Sequence, residues 1–257
     1  MKDTLRLVFV LAIASLILSS CKDDMDDPPE NNTASFNLAI SGLEDLGANY
    51  TYEGWIIVDG AAVTTGTFSV DDKGNLSKTS FSVSKSDLEK ATTFVLTIEP
   101  SPDPDPAPSS VHILAGDFSG SNANLTIDHG AALGSDFKTS AGKYILATPT
   151  DTSSTNEESG IWFLDNSGGS PAVGLTLPTL PNGWAYEGWA VINGTPVSTG
   201  TFTKVDVADD AAPFSGSKAG PPFPGEDFLM NAPAPLTFPT DLKGGTAVIS
   251  IEPVPDN

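Results

Sequence analysis

The sequence predicts an all-β protein made of two related β-sandwich-like domains with mostly antiparallel strands. The apolar segments are short, alternate with polar residues, and are separated by Gly, Pro, Asn and Asp. The nine-residue phrase YEGWIIVDG at Tyr52–Gly60 returns as YEGWAVING at Tyr186–Gly194, and each copy is soon followed by TGTF. No long stretch has helical spacing, and SKSDLEKA around Leu88 predicts one short helical turn.

Each copy of the phrase predicts a β-hairpin. Asp59-Gly60 and Asn193-Gly194 separate two apolar runs, and a type I′ turn needs positive φ at both central residues, which these residue types tolerate. Strand alternation places Glu53 and Trp55 on one face and Tyr52 on the other. Both faces are substantially apolar, which is typical of a central strand.

A second shared phrase shows that the copies differ in length. FVLTIEP at Phe94–Pro100 corresponds to AVISIEP at Ala247–Pro253, and the offset between copies grows from 134 to 153 positions. The 19 extra residues largely form a Pro-rich loop with the sequence GSKAGPPFPGEDFLMNAPAP. The strand VHILAG follows the first IEP only, and YILAT at Tyr144–Thr148 resembles it. We therefore predict that Tyr144–Thr148 closes a circularly permuted second domain.

The predicted organisation has five parts. They are a signal peptide at 1–20, an acidic flexible tether at 21–35, a first β domain at 36–120, a connector at 121–142 and a second β domain at 143–257.

The N-terminus has the features of an exported lipoprotein. Lys2 and Arg6 precede the apolar run LVFVLAIASLIL, which is short for a membrane span. Leu18–Cys21 resembles the lipobox of bacterial lipoproteins, and Cys21 is the only cysteine. We expect a cell-envelope protein anchored by acylated Cys21, with the membrane as partner. The alternative is an ordinary signal peptide with a chance cysteine. Lys22–Asp24 resembles a tag for the outer membrane and cell surface, although a solvated charge run explains it equally.

Charge and composition exclude several function classes. The formal net charge of −21 provides no basic footprint for nucleic acid. The two histidines, His112 and His129, have no nucleophile elbow near them, and no His/Cys cluster has zinc spacing. We therefore expect no enzyme, no cofactor and no metal. Calcium is the alternative, with these aspartates as its oxygen ligands: Asp71, Asp72, Asp103, Asp105, Asp209 and Asp210.

The repeated phrase also supplies the candidate ligand-binding residues. Flat aromatic rings stack on the apolar faces of sugars, and Glu53 and Glu187 each recur beside Gly and Trp in both copies. The candidates are Tyr52, Glu53, Trp55, Tyr186, Glu187 and Trp189. Core packing of the rings, and a structural role for each carboxylate as an acceptor for a neighbouring loop, are the favoured interpretations.

The order YEGW, PVSTGTF, an apolar strand ending in IEP, a Pro-rich segment and ILAG resembles the C-terminal extracytoplasmic domain of the anti-sigma-K factor family. The resemblance covers about Phe36–Phe118 and Tyr144–Asn257. It implies a β-sandwich-like fold outside the cytoplasm, and no residues match the family's sigma-binding part. The expected function is a non-enzymatic binding or structural lipoprotein with an unknown protein or glycan partner. The alternatives are a sensory partner of an anti-sigma factor system and a glycan-binding surface lipoprotein.

Overall fold

The computed structural model describes residues 10–13, 32–153 and 155–255. The described residues divide into two compact units: the first comprises 10–13, 32–136 and 181–183, and the second comprises 137–153, 155–180 and 184–255. Every strand pairing is antiparallel, and the one α-helix of the described residues is the predicted turn at Lys85–Lys90. The all-β fold class is therefore confirmed, whereas a whole-domain repeat stays a prediction.

The first unit contains two sheets that pack face to face. Its elements are β1 (Val10–Ile13), β2 (Thr33–Asn37), β3 (Tyr50–Val58), β4 (Ala61–Phe68), β5 (Ser80–Ser84), α1 (Lys85–Lys90), β6 (Ala91–Pro100), β7 (His112–Ser119) and β8 (Asn122–Leu125). The larger sheet has the order β1-β8-β7-β6-β3-β4, and β2 pairs with β5. Phe36 of β2 stacks on Phe94 of β6 with ring centroids 5.2 Å apart. This apolar contact between sheets is the arrangement of a β-sandwich.

Three predicted domain boundaries differ from where the strands and units of the structure begin and end. Thr33–Ser35 belongs to β2 and pairs with β5, although the prediction places it in the tether. The predicted connector contains β8, which pairs with β7, and its last six residues, 137–142, belong to the second unit. Main-chain hydrogen bonds do not require apolar side chains. A pattern based on hydropathy therefore does not predict short polar strands. Within the predicted signal peptide, Val10–Ile13 forms β1 against β8.

The second unit combines one long-stranded sheet with several short pairings. Its strands are β9 (Ala141–Gly142), β10 (Ile145–Leu146), β11 (Gly160–Trp162), β12 (Leu164–Asp165), β13 (Ala172–Val173), β14 (Leu175–Thr176), β15 (Trp184–Ile192), β16 (Thr195–Phe202), β17 (Gly225–Asp227) and β18 (Thr246–Pro253). The sheets have the orders β16-β15-β18 and β10-β11-β17, with two further pairs, β12-β13 and β14-β9. Buried Phe163, Tyr186 and Phe228 belong to one core between them.

Both copies of the repeated phrase form the predicted hairpin. Tyr52 lies opposite Phe68 and Tyr186 opposite Phe202, and both hairpins shift register directly after the strand glycine. The turn residues have φ values of 51° and 83° in the first unit and 52° and 84° in the second. Positive φ at both central positions confirms the predicted turn geometry.

The predicted closing segment Tyr144–Thr148 contains β10, which pairs within the second unit, and the circular permutation stays a prediction. Ile145 lies opposite Trp162 of β11, and β10 does not join β18. β11 in turn pairs with β17, which comes from the 19-residue insertion. The insertion thus contributes a strand to a separate sheet, and β10 belongs to this sheet. The five-residue similarity between Tyr144–Thr148 and the VHILAG strand does not determine which strand β10, of two residues, pairs with.

Candidate functional site

The six candidate residues of the repeated phrase lie in the interiors of their units. Five have buried side chains and one, Trp189, is half-buried. The buried ones are Tyr52, Glu53, Trp55, Tyr186 and Glu187. Their burial fits the favoured structural interpretation, because a buried ring presents no face to a sugar. Ligand binding by these residues stays a prediction.

Each of the two glutamates binds a hydroxyl group on the neighbouring strand. Thr64 of β4 donates to Glu53 Oε1, and Ser198 of β16 donates to Glu187 Oε1. This hydroxyl partner lies on a strand in both units, whereas the sequence predicts a neighbouring loop as the partner. Burial raises the pKa of Glu53, and the Thr64 hydrogen bond partly offsets that effect. A hydroxyl donor to each carboxylate lowers the cost of its burial.

The tryptophan indoles connect each hairpin to its third strand. Trp55 Nε1 donates to Thr97 Oγ1 at 2.9 Å, and Trp189 Nε1 donates to Ser250 Oγ at 2.8 Å. Thr97 lies on β6 and Ser250 lies 153 positions later, on β18. Both units therefore use the same polar contact between equivalent strands.

The tyrosines anchor the segment that precedes each hairpin. Tyr52 Oη donates to the Glu44 carbonyl at 3.0 Å, and Tyr186 Oη donates to the Pro178 carbonyl at 2.7 Å. In both copies the acceptor lies eight residues before the tyrosine. Burial raises the pKa of both tyrosines to about 12. The hydroxyls are therefore neutral donors at physiological pH.

A buried acidic pair in the second unit was missed by sequence reasoning. Glu226 and Asp227 of β17 are both 0 % exposed. Ser215 Oγ donates to Glu226, and Asp227 accepts from Trp162 Nε1 at 2.7 Å and from the Thr150 main-chain nitrogen at 2.8 Å. Burial raises the pKa of Glu226 to about 7 and raises that of Asp227. The only signal in the sequence is an acidic pair between Phe223 and Phe228 in the insertion.

Asp209 is a third carboxyl group with a raised pKa in the same unit. Its Oδ2 accepts from the Gly225 main-chain nitrogen at 2.8 Å, and its side chain is half-buried. Burial and the nearby Glu226 raise its pKa to about 7. These acids hold the insertion against the rest of the second unit.

The other aspartates proposed for calcium mainly stabilise turns. Asp71 accepts hydrogen bonds from the main-chain nitrogens of Lys73 and Asn75, and the main-chain nitrogen of Asp105 donates to Asp103. Such contacts are typical of Asx turns. Within 10–13, 32–153 and 155–255, no group of three or more His, Cys, Asp or Glu side chains is placed to hold a metal ion.

Both histidines are bonded to the backbone of Ala131. His112 Nδ1 donates to the Ala131 carbonyl at 2.9 Å, whereas the Ala131 main-chain nitrogen donates to His129 Nδ1 at 3.1 Å. His129 Nε2 is then the protonated nitrogen of the neutral ring, and it lies 3.4 Å from Asp117. His112 lies in β7, as predicted, and the contacts of both rings are structural.

An apolar groove of about 290 Å³ opens in the second unit. It is lined by Phe137, Ser140, Ala141, Gly142, Leu175, Leu177, Tyr186, Ile249 and Ile251. Ile249 and Ile251 belong to β18 and are only half-buried. The corresponding face of the first unit is closed, since Leu96 at the position equivalent to Ile249 is 0 % exposed. Sequence reasoning missed the groove, because both copies have apolar residues at these positions.

The N-terminal predictions lie mostly outside the described residues. Cys21 is among the residues the structure does not describe, so lipidation stays a prediction. The described part of the chain has no helix with the length and apolarity that a membrane crossing needs.

Comparisons of the whole chain with protein-family models, with curated proteins and with solved structures found no match. The all-β fold and the groove of the second unit therefore carry the functional argument.

Proposed function

We propose that this protein is a non-enzymatic lipoprotein of the bacterial cell envelope that binds another polypeptide through its second unit. The observation that carries the proposal is the apolar groove beside β18. Apolar concavities with a few polar groups at their margin are common binding sites, and exposed apolar surface is costly in water. Val248 of β18 is 41 % exposed, which extends apolar surface along the same strand.

Binding is favoured over catalysis by the state of the titratable groups. The ring nitrogens of His112 and His129 bond main-chain atoms of Ala131. Glu226 and Asp227, whose pKa values are raised, are fully buried and cannot reach a substrate. A general acid or base must come within hydrogen-bond reach of its substrate. These titratable groups therefore stabilise the fold, which favours a binding protein over an enzyme.

A polypeptide is favoured over a glycan by the chemistry of the groove. Its walls are mainly aliphatic, with Phe137 and Tyr186 as aromatic members and Ser140 as a polar one, whereas sugar sites combine exposed aromatic faces with several polar groups. The repeated rings that would form such a platform are buried, apart from half-buried Trp189. The resemblance to an extracytoplasmic domain and the lipobox at Leu18–Cys21 support a location at the envelope.

Site-specific photocrosslinking in intact cells tests the proposal. A photoreactive amino acid replaces Val248 in the full chain, and the matched control replaces Val207, which is 43 % exposed in the same unit. We expect one polypeptide to crosslink at position 248 and none at 207. Crosslinking to glycan, to nothing, or equally at both positions would contradict the proposal.

Anchoring is tested separately in the same cells. We expect fatty-acid label on the N-terminal peptide of the processed protein and its loss in Cys21→Ser. An unmodified cysteine at that position would overturn the lipoprotein assignment and leave the binding assignment intact.

A further inference from the structure

The first unit shows how the edge of the equivalent strand is occupied. β6 and β18 make the same contacts with their hairpins: Glu53 lies opposite Thr97, and Glu187 lies opposite Ser250. On its other edge β6 pairs with β7. Among the strands that the structure describes, β18 has β15 as its only neighbour. No described strand of the second unit therefore takes, at β18, the place that β7 has at β6.

The exposure of β18 reflects this difference on both faces of the sheet. On one face, Val95 is 4 % exposed, whereas its equivalent Val248 is 41 % exposed. On the other face, Leu96 is fully buried, whereas its equivalent Ile249 lines the groove. In the first unit Ala132 packs with Ala115 in the cluster that contains Val95, so one added strand would cover part of each face.

β7 shows which side chains such a strand needs. Leu114 lies opposite Leu96 and belongs to the main core of the first unit. Ala115 lies opposite Val95 and packs in the small cluster around Trp55 on the other face. By equivalence, a strand beside β18 would place a large apolar side chain next to Ile249, at the groove. The following small residue would lie next to Val248.

The edge of β18 has little of the protection that natural edge strands use. Exposed edges usually contain Lys, a bulge, an internal proline or very few residues, which prevent pairing with another chain. β18 is eight residues long, and Thr246–Ile251 contains no charge and no proline. Its pairing with β15 runs without a register shift. This edge is therefore competent to accept a strand.

We propose that β18 binds an extended segment of the partner polypeptide as an added antiparallel strand, with a large apolar residue in the groove and a small residue beside Val248. This inference rests on the proposed function and specifies how the partner is recognised. In this mode, main-chain hydrogen bonds provide affinity and alternate side chains provide specificity.

A peptide with the β7 sequence, VHILAGDF, is the probe, because it has the required alternation. Binding to the full chain is measured by fluorescence anisotropy, with a peptide in which Asp replaces the residue equivalent to Leu114 as control. We expect Val248→Lys to weaken binding by roughly tenfold or more, since Lys on an edge opposes pairing. Val207→Lys, at a similarly exposed position, should leave binding unchanged.

Amide hydrogen exchange distinguishes strand addition from binding in the groove alone. We expect bound peptide to slow exchange in Thr246–Ser250, because new main-chain hydrogen bonds protect amides. Peptide binding without this protection would overturn strand addition. A polypeptide that crosslinks at position 248 without any protection of β18 would overturn the inference and leave the proposed function standing. A dimer of the chain that Val248→Lys dissociates, with no peptide binding, would identify a second copy as the occupant and overturn the partner assignment.

Discussion

In the first unit β6 lies between β3 and β7, whereas in the second unit β18 pairs with β15 alone among the described strands. The hairpins that these strands join are the same in register and in turn conformation, and their repeated Tyr, Glu and Trp side chains make the same kinds of polar contact. The two units therefore share a hairpin and differ in the strands that pair around it. In the second unit the added segment builds the β10-β11-β17 sheet and its buried acids, and one edge of the hairpin sheet is left open.

Replacing the tryptophans should cause the largest losses in the free energy of unfolding, and the loss should differ between the two units. Trp55 is 3 % exposed and packs with Val95 and Ala115, whereas Trp189 is half-buried beside exposed Val248. We expect Trp55→Ala to reduce the free energy of unfolding of the first unit by about 3–5 kcal/mol. Trp189→Ala should cost the second unit about half as much, because part of the ring is already in water.

Urea unfolding followed through the NMR signals of β3 and β15 amides reports on each unit. Trp55→Phe and Trp189→Phe serve as controls that keep an aromatic ring and remove the indole donor. Equal losses for the two alanine variants would show that the uncovered face of β15 is as well packed as that of β3, contrary to the comparison.

The hairpins were predictable from the sequence because their signals are local. Asp59-Gly60 and Asn193-Gly194 determine the turns, and the periodicity around Trp55 indicates a central strand. The acidic pair was not predictable, since the prolines around Glu226 indicate a loop and its burial depends on β11, which lies far away in the sequence.

The open edge was not predictable for a related reason. The sequences of β6 and β18 have similar apolar patterns, and the exposure of Val248 depends on a neighbouring strand. The apolar pattern of one strand indicates which of its residues prefer burial. It does not indicate whether another strand pairs beside them and buries them.

The second effect in size is a pH dependence that is larger in the second unit than in the first, where Glu53 is the acid with a raised pKa. Asp209 and Glu226 have ordinary pKa values of 3.8 and 4.5, and burial raises both to about 7. The folded state therefore binds more protons than the unfolded state between about pH 4 and 7, so the free energy of unfolding falls as the pH rises through this window. We expect a loss on the order of 2 kcal/mol for the second unit between pH 5 and pH 8.

The same NMR signals, recorded in urea at pH 5 and pH 8, provide the measurement. Glu226→Gln should remove much of the dependence, because the neutral amide keeps an acceptor for the donors around it. Glu53→Gln in the first unit is the matched control and should leave the second unit's profile unchanged. A second unit that becomes more stable as the pH rises would contradict the assignment of neutral buried acids.

The smallest effect should differ in sign between the units. The Thr65 hydroxyl donates to the Gly54 carbonyl at 3.0 Å, whereas the hydroxyl of Thr199, at the equivalent position, is fully buried and has no hydrogen-bond partner among the described residues. Valine has nearly the shape of threonine and lacks the hydroxyl. Thr65→Val loses a hydrogen bond and leaves the Gly54 carbonyl with one acceptor site empty, which should cost about 1 kcal/mol. Thr199→Val removes a buried polar group that nothing satisfies, so it should be neutral or stabilise the second unit by up to about 1 kcal/mol.

The urea unfolding midpoints of β3 and β15 amides in Thr65→Val and Thr199→Val give the sign of each stability change. The double variant tests whether the two changes are additive. A loss of stability in both units would mean that Thr199 has an acceptor in solution, for example a bound water molecule, and that the two hairpins are alike at this position as well. Opposite signs would show that the repeated sequence preserves the threonine while its surroundings have changed. The stability of a repeated phrase then depends on the strands that pack on it and not on the phrase alone, which is the same reason that β18 is open where β6 is closed.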